Sequence, residues 1–178
     1  CENVLLGALN LAQADLDRGR LDAERLGNIS HCFDELLEDF SELETSAREP
    51  QRADREARKN VVRLAARDAD RTIVALPGRG KLDRQAALVV AFILARDGFR
   101  TTVPDQSTPS LADFSDAAAI CICHVSPIHE SLERYTIRRV RRSAATHQLI
   151  IVALGGHPSG DRASNAPPTA TSLREVIE

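Results

Sequence analysis

Methionine and tryptophan are absent, and aromatic side chains are scarce, with five Phe and one Tyr in 178 residues. Without Met the chain does not open at a start codon, and the expectation is a piece of a longer protein. So few aromatics argue against a stacking platform for single-stranded nucleic acid or an aromatic carbohydrate groove. No apolar run is long enough to span a bilayer. The longest, Ala86 to Ala95, has ten residues, where a spanning helix needs about 20. Cys1–Glu2–Asn3 leads straight into a helical pattern rather than a secretory signal. The four cysteines, at 1, 32, 121 and 123, form no CxxC pair, so zinc-ribbon spacing is missing. Cys121 and Cys123 alternate with Ile120 and Ile122 in a run that reads as a buried strand, which implies free thiols and a reducing, cytosolic setting.

The charge is uneven. Residues 1–50 carry twelve acids and four bases, a net of −8; residues 51–178 carry fourteen acids and nineteen bases, a net of +5; together they make −3. The split points to two modules with different surfaces. It is too mild for duplex DNA binding on electrostatics alone, and no nucleic-acid partner is expected.

Hydrophobic spacing predicts a helix over 3–18, with Val4, Leu5, Ala8, Leu9, Leu11, Ala12 and Leu16 as its stripe and Gly19 as its stop. A second helix is expected from Asp22 to about Glu44, with Leu26, Ile29, Phe33, Leu36, Leu37, Phe40 and Leu43 on one face. Asp34, Glu35, Glu38, Asp39 and Glu42 lie on the other. This hairpin, residues 1–46, needs a further surface to cover its apolar side. Residues 47–70 read as a charged linker with a helical segment. From 71 to 178 short, continuously apolar strands alternate with helices. The strands are 72–76, 99–103, 117–123, 148–154 and a weak 169–171. The helices are 83–97, 128–146 and one from Ser172, with room for a short one in 104–117. Continuous apolarity fits a parallel sheet covered on both faces. The expected fold is α/β, an open parallel five-stranded sheet of flavodoxin-like or Rossmann-like type, order 2-1-3-4-5, preceded by the hairpin.

Ligands in such sheets sit at the carboxyl ends of the strands. Those ends carry Gly78, Arg79, Gly80 and Lys81; His124 and Ser126; and Gly155, Gly156 and His157. These nine are the candidate binding residues. Glycines would admit a ligand to backbone N–H groups, and the basic residues favour a small anion. The alternative of a vestigial cavity, closed by Leu82 and Gln85, stays open. PGRGKLD lacks both GxGxxG and GxxxxGK[ST]. Ser126 lacks the G-x-S-x-G elbow. Cys123, His124 and His129 provide too few ligands for a metal, so no catalytic or metal residue is assigned. Arg134, Arg138, Arg139, Arg141 and Arg142 read as a solvated face, as a contact for anionic lipid headgroups, or as a docking site for the acidic hairpin.

The order of these loops resembles the cobalamin-binding domain superfamily, which reads D-x-H-x-x-G after the first strand, then S-x-L, then G-G. Here Ser126–Pro127–Ile128 follows Gln85 after forty residues, and Gly155–Gly156 follows Ile128 after twenty-six more. The first motif departs from the family. Its Asp, His and Gly correspond to Gly80, Leu82 and Gln85, and Leu82 cannot ligate cobalt. ENVLLGALNLAQADLDRGRLDAERL is similar to the helical bundle that precedes such sheets. ALPGRGKLDRQAALVVAFILARDGF and SLREVIE resemble a degenerate module on the cytosolic C-terminal tail of bacterial permeases of the autoinducer-2 exporter type. The resemblance implies a non-catalytic regulatory or ligand-sensing domain at the cytoplasmic face of a membrane, with no cofactor. It implies the membrane-embedded part of the same protein as partner, and leaves open anionic lipid headgroups and a homo-oligomer. The alternatives are a cobalamin carrier or sensor lacking the lower His, and an enzyme that acts on a small anionic substrate.

Overall fold

The computed structural model describes residues 2–48, 72–104, 114, 117–126, 130–154 and 169–170. Most of the expected linker 47–70, the candidate residues Gly155, Gly156 and His157, residue His129 and the helix from Ser172 lie outside the described residues. So does the short helix expected in 104–117, apart from Phe114 in a single 3₁₀ position.

Helix α1 (Glu2–Asp17) ends where Gly19 takes φ +68°. There the N–H of Arg20 reaches the carbonyl of Asp15 (2.9 Å) and that of Gly19 reaches Leu16 (3.0 Å), the paired bonds of a Schellman cap. Asp22 then caps α2 (Ala23–Arg48), its Oδ1 accepting from the N–H of Arg25 at 2.8 Å. The second unit runs β1 (Thr72–Pro77), α3 (Asp83–Arg96), β2 (Arg100–Thr102), β3 (Ala117–His124), α4 (Glu130–Ser143), β4 (Gln148–Ala153) and β5 (Thr169–Ala170). Gly98, at φ +103°, ends α3 with the same pair of cap bonds.

All strand pairs are parallel and the order is β2-β1-β3-β4-β5, so the α/β class and the expected order hold. The weak fifth strand is only a two-residue pairing against Ile151 and Val152. Alternation along the strands feeds two cores. On one face Ala75, Cys121, Cys123 and Val152 meet α3, and the same cluster continues through α3 to Leu5, Leu9 and Ala12 of α1 and Phe33 of α2. On the other, Val74, Leu76, Ile120, Ile122 and Leu149 meet Val140 and Ala144 of α4, with Phe114. The hairpin's apolar side is thus covered by α3, and the Phe40 ring lies 6.2 Å from that of Phe92.

The stripe expected on α1 is too wide. Leu9 is fully buried, but Val4 and Leu11 are 72% and 65% exposed. One helix packs only one side against α3, and that side is Leu5, Leu9 and Ala12; Val4, Ala8 and Leu11 are turned away. No helix among the described residues is long and apolar enough to cross a membrane.

The two classes of α1 leucine give a direct test. Leu9→Ala removes a fully buried side chain and should cost about 2–5 kcal/mol. Leu11→Ala should stay within about 0.5 kcal/mol of the parent. Urea denaturation of both variants checks the difference.

Candidate functional site

The topology changes direction between β1 and β3, because β2 lies on the outer side of β1 and β3 on the inner. In open sheets that switch point leaves a crevice at the strands' carboxyl ends. Two backbone bonds extend the ladder there: the N–H of Gly78 donates to Cys123 O at 2.9 Å, and that of Leu154 to His124 O at 2.9 Å. Asn10 of α1 also reaches this rim, its Nδ2 donating to Leu154 O at 3.4 Å.

The crevice is occupied by the protein's own side chains. Asp83, the first residue of α3, is 4% exposed, and His124, the last residue of β3, is 3% exposed. Asp83 Oδ2 accepts from the Gly80 N–H (2.7 Å) and lies 3.0 Å from His124 Nδ1. Its Oδ1 accepts from the Val125 N–H at 3.0 Å. One carboxylate therefore joins the β1–α3 loop, the start of α3 and the end of β3. Burial pushes the Asp83 carboxyl upward. The His124 hydrogen bond and charge, with the Val125 and Gly80 N–H groups, outweigh that and hold it below its ordinary value of 3.8.

Gly78 closes the arrangement from above. A Cβ there would overlap the Nδ1 and Cε1 edge of His124 and the Asp83 carboxylate. A Cβ on Gly80 would approach Asp83 Oδ1 to 2.8 Å. Beneath lie two thiols. Burial pushes Cys121 up to about 12. Burial, then the charges of Cys121 and Asp83, push Cys123 up as well. Both remain protonated at neutral pH and are poor nucleophiles. Among the described residues no three side chains are grouped to hold a metal.

The expected site residues are therefore used differently from their sequence reading. Gly78 and Gly80 make room for Asp83 and His124, and the Gly80 N–H is already bonded; neither offers a ligand approach of the expected kind. His124 adds no charge to an open rim, because it is buried against Asp83. Leu82 is buried in the core, and Asp83 and His124 are the side chains that meet at the crevice. Arg79 and Lys81 are exposed. The Arg79 guanidinium sits 5.5 Å from the Tyr135 ring centroid, a cation–π contact that ties the β1–α3 loop to α4. Ser126 is half-buried at the loop after β3. Gln85 is buried, and its Oε1 has no hydrogen-bond partner. The residue that sequence reasoning missed is Asp83. It is the first acid after β1, three residues beyond Gly80, and a buried strand-end His needs such a partner.

The depressed Asp83 carboxyl sets a sign for acid behaviour. Its contribution to stability is complete above the ordinary value of 3.8 and is lost as pH falls from there through the folded-state value. The stability advantage of the parent over Asp83→Asn should therefore shrink as pH falls below 3.8, as read by urea denaturation across pH. Gly78→Ala should cost about 1–3 kcal/mol by overpacking.

No family model matches this chain, and no curated protein is found similar to it.

Proposed function

We propose that the chain is a non-catalytic regulatory or ligand-sensing module, working at the cytoplasmic face of a membrane as part of a permease. The observation that carries the non-catalytic part is the Asp83 carboxylate, both of whose oxygens are engaged in holding loops together. Its partner His124 is buried, and the nearby thiols are protonated. The groups best suited to acid–base or nucleophilic work at the switch point thus serve the frame. The strand order supports the likeness to cobalamin-type modules, and the permease setting rests on the likeness of ALPGRGKLDRQAALVVAFILARDGF and SLREVIE to permease tails.

With the crevice filled, a ligand of this module sits outside the Asp83–His124 pair, over exposed Arg79 and Lys81. That placement favours a small anion. The test is calorimetric titration with phosphate-bearing metabolites and with aquocobalamin, on the parent and on an Arg79→Ala, Lys81→Ala double variant. The reading expects anion binding that the double variant loses, and no chemical turnover of the bound compound. A cobalamin spectrum that shifts on mixing, or turnover of a bound anion, would contradict it. The permease setting is tested by reading the gene upstream of Cys1: in-frame hydrophobic spans support it, and a start codon closely preceding Cys1 defeats it.

A further inference from the structure

The outward faces of α2 and α4 carry opposite charge. Along α2, Glu35, Glu38, Asp39 and Glu42 are exposed on the side opposite buried Phe33. The helix as a whole has seven acids against two Arg. Along α4, Arg138 and Arg142 are exposed on the side opposite buried Val140, Arg141 is exposed beside them, and the helix has five Arg against two acids. The two rows share a spacing. Glu38 and Glu42 are four residues apart, as are Arg138 and Arg142, about 6 Å along either axis. Two helices laid side by side could therefore match them pair for pair.

They cannot meet within one molecule. Helix α2 packs on α3 over one face of the sheet, and α4 packs on the other. The acidic and basic rows thus form the two outer surfaces of one layered body, and docking of the hairpin onto α4 of the same chain is excluded by the fold. We infer that the acidic face of α2 binds the basic face of α4 on a second copy of this chain. Both surfaces belong to this sequence, and their charges are complementary. The contact is heterologous: a bound copy leaves its own α2 or α4 face open, so association continues as a stack rather than closing at a dimer. Exposed ion pairs are individually weak and screened by salt, so the stack forms at high concentration and low ionic strength. It does not depend on the rim binding a ligand.

The experiment is sedimentation velocity over a concentration series of the whole chain, at low salt and at about 1 M salt, where the screening length is about 3 Å. Two charge-reversed variants are run alongside, Glu38→Arg with Glu42→Arg, and Arg138→Glu with Arg142→Glu. All four positions are on the surface, and circular dichroism confirms folding. The parent should sediment faster with concentration at low salt, without levelling at dimer, and return to monomer at high salt. Each variant alone should stay monomeric. An equimolar mixture of the two should associate again, because each supplies the face that the other now needs. A parent that is monomeric throughout, association unmoved by salt or by either reversal, or a mixture that stays monomeric would overturn the inference. Binding of the parent to anionic phospholipid vesicles without self-association would also overturn it and give α4 to a lipid surface. Should one variant fail to fold, Arg138→Glu alone and the parent's salt dependence decide the same question.

Discussion

The Asp83 carboxylate stands where three segments of the chain converge, and each of its bonds holds one of them. The Gly80 N–H fixes the loop that leaves β1, the Val125 N–H fixes the exit of β3, and His124 fills the space between. Position 78 has to be glycine for this to fit, since any side chain would strike the pair. A buried carboxylate is unfavourable unless its oxygens are satisfied, and here two backbone N–H groups and an imidazole satisfy them. The crevice that an open parallel sheet leaves at its switch point is thereby filled, and the rim geometry follows from that filling.

Helix α3 carries the consequence to the rest of the molecule. Its first residue is the clamp, and its apolar body is the layer between sheet and hairpin, so displacement of Asp83 would disturb the packing of α3 on both. Arg79 adds a tie across the rim to Tyr135 on the far side of the sheet. The result is a sheet held at one end by short polar contacts and covered on both faces, with an acidic outer surface over one face and a basic outer surface over the other.

The sheet was legible because its strands are continuously apolar, and parallel order follows once helices alternate with them. Helix ends were legible at Gly19 and Asp22 for reasons confined to a few residues. The seven apolar positions of the α1 stripe exceed what one packed side can bury, and periodicity does not say that Val4 and Leu11 are the ones left out. The site was hardest. Asp83 and His124 are 41 positions apart, and nothing in the spacing of either loop says that they touch. Gly78 and Gly80 invited a ligand reading because glycine admits any close neighbour; here the neighbours are the chain's own His and Asp.

A double-mutant cycle on Asp83 and His124 tests the clamp most directly. The stabilities of the parent, Asp83→Ala, His124→Ala and the double variant are measured by urea denaturation at pH 7. If the two side chains act as one unit, the single losses should sum to more than the double loss by about 1 kcal/mol or more, within the range seen for contacting groups. Losses that add to within about 0.5 kcal/mol would mean that the pair is not coupled and that the rim is held by something other than Asp83.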